Sequence, residues 1–307
     1  MPLSTAARRI RATLKPVAAR LPPSVRRAGG RVLAIGTGGT HTRDIVGAPL
    51  RVEGVNHGEA DYDDAWLIAL IGESDAFLDI GCNIGFFSLA ACVLRREAQV
   101  LAIDANPDCA AVTAANLVRN GFGDRARALA LFVSDHRGEV QFFTEGTGAA
   151  GSAIQGMAQT AEGQGLSTTV ATDSVDAIAQ RLGFAPDLVK VDVEGAEREV
   201  LQGATTTTRT HRPRYLVEMH RTPTTSMAEN TAGVLEWCAA NDYAAWYLSE
   251  GTRITDPGPL AHRGRCHLLL QPDGADLPGV LVGIRQGAPI SEALARISNA
   301  GVATAPV

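Results

Sequence analysis

The chain has 307 residues, 45% hydrophobic and 20% charged, which suits one or two globular domains of an ordinary enzyme. Its net charge of −5 is uneven: residues 1–51 carry ten Arg or Lys and one acid, and the remainder carries 18 bases against 32 acids. The acidic body argues against nucleic acid, and the basic leader leaves peripheral membrane contact open. No apolar run reaches the ~18 residues of a membrane span, and none resembles a secretory signal, so a cytoplasmic protein is expected.

In chain order, residues 5–20 have the pattern of a basic amphipathic helix, stopped by Pro22-Pro23. Residues 31–55 alternate short apolar runs with glycine, as hairpin strands do, and Gly36, Gly38 and Gly39 read as turn residues. DYDDAWLIALIG reads as a helix opened by acids. Strands at AFLDI (76–80) and QVLAIDA (99–105) then alternate with helices at IGFFSLAACVLRRE and PDCAAVTAANLVRNG. RARALALFVSD (125–135) reads as one strand and GEVQFFT (138–144) as another, with a long loop at 146–165. DSVDAIAQRLG, VEGAEREVLQGA and MAENTAGVLEWCAAND read as helices. DLVKVDVEG (187–195), RYLVEMH (214–220), YAAWYLSE (243–250) and RCHLLLQP (265–272) read as strands, and 290–299 as a last helix. This alternation predicts an α/β fold with a mostly parallel sheet covered by helices on both faces.

Ligands of such sheets sit beyond the carboxyl ends of the strands. Successive strands end there in Asp79-Ile80-Gly81, in Asp104, in Ser134-Asp135, in Asp192 and Glu194, and in Glu218 and His220. Gly81 and Gly85 let a ligand approach the backbone. A carboxylate at Asp79 repels a pyrophosphate and accepts a cation, which points to a nucleoside with a positive or amino-acid end. Asp104, nineteen residues after Gly85, stands where an acid can bind both ribose hydroxyls. Ser134 or Asp135 is placed to meet an adenine edge. S-adenosylmethionine has all these parts.

Other chemistries lack their residues. The five cysteines form no C-x-x-C pair, which argues against a zinc site or disulfide framework. Lysine occurs only at Lys15 and Lys190, so there is no P-loop and no Tyr-x-x-x-Lys pair for hydride transfer.

DIGCNIGFFSL, AIDANP, VSDHRGEVQFF, KVDVEGAEREVLQGA and VEMH, in this order, resemble the FkbM-type S-adenosylmethionine-dependent methyltransferases. The resemblance implies a Rossmann-like class I methyltransferase: a three-layer sandwich with a mostly parallel seven-stranded sheet. It implies a methyltransferase domain over residues 55–272, with 1–54 a basic extension and 273–307 a tail. By position, Asp79, Gly81, Asn83, Gly85, Asp104 and Asp135 correspond to cofactor contacts, and Asp192 and Glu194 to active-site acids; Ala105 and Asn106, next to Asp104, are expected to touch the cofactor as well. It also implies O-methylation of a sugar, glycolipid or natural-product hydroxyl. The threonine run TTTTRT (205–210) departs from the family by replacing a more helical stretch.

A hydroxyl acceptor must lose its proton near the transition state, and His220, which titrates near neutrality when unperturbed, is the first candidate base. Asp192 is the alternative; residues i and i+2 of a strand share a face, which would point Glu218 together with His220, and Asp192 together with Glu194 where the strand extends that far. These three carboxylates and His220 could also bind a divalent cation, although no dedicated metal motif is present. Two other readings of the same residues are a nicotinamide-dependent oxidoreductase and a catalytically silent nucleoside-binding module. The acid at Asp79 and the missing Tyr/Lys pair speak against the first, and the strand-end acids against the second.

Overall fold

The computed structural model describes residues 39–55, 64–149 and 151–299. The chain divides between Gly39 and Thr40, and every element below belongs to the part that begins at Thr40. The helix expected at 5–20, Gly36, Gly38 and most of the basic leader lie outside the described residues.

A hairpin of β1 (His41–Ile45) and β2 (Ala48–Val52) opens the fold, and Ile45 and Val52 are buried in the core. The helix Asp64–Ile71 follows, apolar on every side and buried at every residue. The strands β3 (Ala76–Ile80), β4 (Gln99–Asp104) and β5 (Ala126–Ala130) alternate with the helices Phe86–Leu94 and Pro107–Arg119. Pro107 occupies the first turn of the second helix, whose N-cap Asn106 accepts a hydrogen bond from the Asp108 amide.

Next come β6 (Phe132–Val133), β7 (Gly138–Thr144), β8 (Gly151–Ser152) and β9 (Ser167–Asp173), which form a separate four-stranded sheet in the order β6-β9-β7-β8. The helix Val175–Leu182, capped by Ser174, leads to β10 (Leu188–Val191). The helices Glu197–Gln202 and Thr205–His211 precede β11 (Arg214–His220), and Met227–Ala240 follows it. Then β12 (Tyr243–Tyr247), β13 (Thr252–Ile254), β14 (Arg265–Pro272) and the helix Ile290–Asn299 complete the described chain.

The main sheet has eight strands in the order β13-β12-β14-β11-β10-β3-β4-β5, not the seven expected. Strands β11, β10, β3, β4 and β5 run parallel, while β14, β12 and β13 pair antiparallel at one edge. The extra strand arises because the chain folds back after β12 through Gly251, whose φ of 63° suits glycine. Three further expectations are corrected. The strand read at 125–135 is two, because Leu131 donates its amide to the Asp104 carbonyl and the chain then leaves the main sheet for the small one. The loop at 146–165 contains β8 and a short helix, Gln159–Gly163. The threonine run is helical, because Asp176 accepts hydrogen bonds from the Thr206 and Thr207 amides and so caps it from a distance.

Alternation along the strands divides the core between two faces. Leu78, Leu101, Val189, Tyr215 and Leu268 meet the helices Val175–Leu182, Glu197–Gln202 and Met227–Ala240. Phe77, Val100, Leu188, Leu216 and Leu269 meet the helices Asp64–Ile71, Phe86–Leu94 and Ile290–Asn299. The second face turns polar at the carboxyl end. Asp79 stands opposite Lys190 across β3 and β10, and Glu218 opposite His267 across β11 and β14. All four are buried. Charges inside strands this apolar cost free energy unless they are paired, which marks this sheet end as functional. All five cysteines are buried free thiols. Burial pushes those of Cys92, Cys109, Cys238 and Cys266 up to about 12.

Candidate active site

The turn after β3 is built from residues in the left-handed region: Gly81 at φ 78°, Asn83 at φ 48° and Gly85 at φ 85°. A Cβ on Gly81 would lie 1.8 Å from the Asp192 carbonyl oxygen, and one on Gly85 would lie 2.6 Å from the Thr113 side chain. Both glycines therefore allow close backbone packing, which brings the ends of β3 and β10 together.

Two clefts open at this end of the sheet. The first is lined by Gly81, Asn83, Asp104 and Ala105, by the apolar Leu131, Phe132, Val133 and Phe142, and by Asp192 and Glu194. Asp104 accepts hydrogen bonds from the amides of Asn83 (2.7 Å) and Asn106 (2.8 Å), one on each oxygen, so each oxygen keeps a lone pair for a ligand. Burial raises the Asp104 carboxyl to about 6, against the pull of those two amides. Apolar side chains beside a buried carboxylate with open lone pairs offer room for a nucleoside.

The second, larger cleft is lined by Phe86 and Phe87 from the adjoining helix, by Lys190, Glu218 and Arg265 from the strands, and by Thr147 and Gly148 from the loop. Gly81, Asn83 and Asp192 border both clefts.

At the junction, Asp192, Glu218 and His220 each bring one ligand-type atom within 4.8 Å of the others. His220 Nδ1 contacts Glu197 Oε1 at 2.8 Å, while its Nε2 faces Glu194 and Glu218, both at 3.5 Å. Burial disfavours the imidazolium, but the surrounding carboxylates outweigh it and hold His220 at about 11. Burial alone would raise Glu218 as well. His220 and His267 against it, however, draw it below the usual carboxylate range. Arg265 also forms an ion pair with Glu218, at 3.0 Å. Burial raises Asp192 and Glu194, opposed by Lys190 at the first and His220 at the second. Glu194 has a φ of 51°, rare for a residue with a side chain and common at functional turns.

The structure thus gathers Gly81, Asn83, Asp104, Ala105, Asp192, Glu194, Glu218 and His220 around one region. Five other expected contacts line neither cleft. Asp79 is fully buried beneath the turn and accepts the Ser88 hydroxyl at 2.6 Å. Asn106 is a helix cap, Ser134 is buried against its own loop, and the exposed Asp135 pairs with His136 at 2.6 Å. Gly85 acts through packing alone. Three residues escaped the sequence reading: Lys190 and His267, visible only as charged or polar residues within apolar strands, and Glu197. Glu197 is fully buried and accepts from His220, from the Gly195 amide at 2.8 Å and from Asn230 at 3.3 Å. It orients the histidine.

Among the described residues, no helix is long and apolar enough to cross a membrane. A hexuronic acid methyltransferase, AglP, from Haloferax volcanii is 35% identical over 138 residues, covering 43% of this chain and 51% of that one. The match therefore spans about half the length of that relative. The solved FkbM methyltransferase of Methylobacillus flagellatus is similar at 15% identity and a TM-score of 0.42, covering 64% of this chain and 44% of the other. The O-methyltransferase TomG of Streptomyces achromogenes, solved with S-adenosylmethionine, is similar at 13% identity and a TM-score of 0.40, covering 69% and 80%. The FkbM methyltransferase domain matches residues 79–244, more than half of the sequence, and the chain belongs to that family.

Proposed function

We propose that the protein transfers a methyl group from S-adenosylmethionine to a hydroxyl of a sugar, glycolipid or natural product. The observation that carries this reading is the meeting of two clefts at Gly81, Asn83 and Asp192, one suited to a nucleoside and the other roomy and polar. Bound there, S-adenosylmethionine would supply an electrophilic methyl on a positively charged sulfur. Asp104 would hold the ribose hydroxyls, and Leu131, Phe132, Val133 and Phe142 would flank the adenine. The carboxylates at the junction favour a cation.

Asp192 takes the acceptor proton in this reading. It borders both clefts, and its raised carboxyl makes it a stronger base than an exposed aspartate. His220 already carries its proton near neutrality, so its role passes from base to counter-charge, neutralising Glu194 and Glu218 beside the reacting centre. Glu218 shapes the acceptor side, and Glu194 borders the nucleoside side. The charges of Glu218 and His220 are already met by Arg265, His267 and Glu197, so the trio that a metal could use is engaged within the protein. Alignment of acceptor and methyl is worth ~7–11 kcal/mol, and a positioned base about 10²–10⁴-fold.

The relative from Haloferax volcanii supports a sugar-type acceptor, and family membership favours methyl transfer over hydride transfer. The test is incubation of the full chain with methyl-labelled S-adenosylmethionine and a panel of hexuronic acids, glycolipids and polyols. Label should enter one class of hydroxyl, and Asp192→Asn should slow it by about 10²–10⁴-fold. Absence of both cofactor binding by calorimetry and label transfer would overturn the reading.

A further inference from the structure

Lys190 stands at the centre of the site, yet the roles above leave it unused. Its Nζ donates to the Gly81 carbonyl at 2.9 Å and to Asp192 Oδ2 at 3.1 Å, and lies 3.8 Å from Asp79 Oδ1. Three donors on one ammonium thus face three oxygens: one from the turn after β3, one from the end of β10 and one from β3 itself. A purely structural pair between the facing Lys190 and Asp79 would close to the ~2.7–2.9 Å of a charge-assisted hydrogen bond. Instead the ammonium is displaced toward Gly81 and Asp192, and Asp79 Oδ1 is left buried without a hydrogen bond. Lys190 also borders the second cleft, with the Phe87 ring centroid 5.9 Å from its nitrogen.

We propose that Lys190 is a positioning residue for methyl transfer: its buried ammonium fastens the Asp192 carboxylate to the Gly81 turn and sets the charge that the reacting centre presents to a sulfonium. The proposal rests on the reading of the two clefts given above. With Lys190 in place, the paired Asp192 attracts the cationic cofactor only moderately, so that the neutral product, S-adenosylhomocysteine, is not outcompeted by charge alone. Removing the ammonium leaves Asp192 and Asp79 uncompensated and deepens the negative field at the sulfur position.

The two cofactor forms differ by one methyl and one positive charge, so the ratio of their affinities reports that field without any acceptor. Calorimetry at pH 8 on the full chain would compare wild type, Lys190→Met and Lys190→Arg, titrated with S-adenosylmethionine and with S-adenosylhomocysteine. Lys190→Met should shift the ratio toward S-adenosylmethionine by about tenfold, the effect of one unit charge partly screened near a protein surface. Lys190→Arg should keep the wild-type ratio. A merely structural lysine would weaken both ligands alike. If Lys190→Met does not fold, the comparison is made between Asp79→Asn and the double variant Asp79→Asn, Lys190→Met, in which the buried carboxylate no longer needs a counter-charge. A ratio unchanged within about twofold overturns the proposal while leaving the cofactor reading intact. A wild-type protein that binds neither ligand overturns the cofactor reading itself.

Discussion

Lowering the pH from 7 to 5 protonates Asp104, whose carboxyl burial holds at about 6, and should release the cofactor. In the ionised form each oxygen already accepts one backbone amide and can accept one ribose hydroxyl. Protonation turns one oxygen into a donor and removes the charge. The ionised fraction falls from about nine-tenths to about one-tenth, so affinity for S-adenosylhomocysteine should fall about tenfold, or ~1.4 kcal/mol. Asp104→Asn isolates the effect. It should bind more weakly by ~1.5–3 kcal/mol, the worth of hydrogen bonds to a charged group, or about 10–150-fold. Its affinity should not change between pH 7 and pH 5. Calorimetry across that range reads both quantities. An Asp104→Asn variant that binds as tightly as wild type, or that keeps the wild-type pH profile, would refute the ribose assignment.

Other consequences follow from the same geometry. His220 is held at about 11, above its ordinary 6.5, so its ion pairs stabilise the fold fully below about 6.5 and are lost as the pH rises through 11. Urea unfolding of wild type should therefore weaken between pH 7 and pH 10.5 more than that of His220→Gln. Glu194→Gly should relieve the left-handed strain and raise unfolding free energy by about 1 kcal/mol, while label transfer falls. Gly81→Ala should cost more than ~4 kcal/mol, because its Cβ meets the Asp192 carbonyl. Gly121→Ala, at φ 80° but facing open space, should cost only ~1–2 kcal/mol. Treatment with a chelator should leave S-adenosylhomocysteine binding and methyl transfer unchanged; a restored activity on adding magnesium would show that Asp192, Glu218 and His220 exchange their present partners for a metal.

The strands at 76–80, 138–144, 214–220 and 265–272 were legible end to end, because each is an apolar or alternating run bounded by turn or charged residues. The strand Ser167–Asp173 was not, since STTVATD buries few large side chains and its pairing partner, β7, supplies most of its order. The break at Leu131 is hidden because apolar alternation runs unbroken through it while the chain changes sheets. The helix at Thr205–His211 depends on Asp176, some thirty residues away, and β-branched threonines carry no local helix signal. At the site, glycine spacing and strand-end acids pointed to Gly81, Asp104 and Asp192. Whether an acid faces the cleft or the core is decided by strand register and turn geometry. Asp79 and Asp192 look alike in sequence, yet one is sealed under the turn and the other borders both clefts.

A crystal structure of the full chain with S-adenosylhomocysteine tests the central claim most directly. The predicted complex has adenine against Leu131, Phe132, Val133 and Phe142, ribose hydroxyls on Asp104, and sulfur facing Asp192 at the junction of the clefts. Ligand bound away from Asp104 and Asp192, or crystals soaked at saturating ligand that show none, would contradict it.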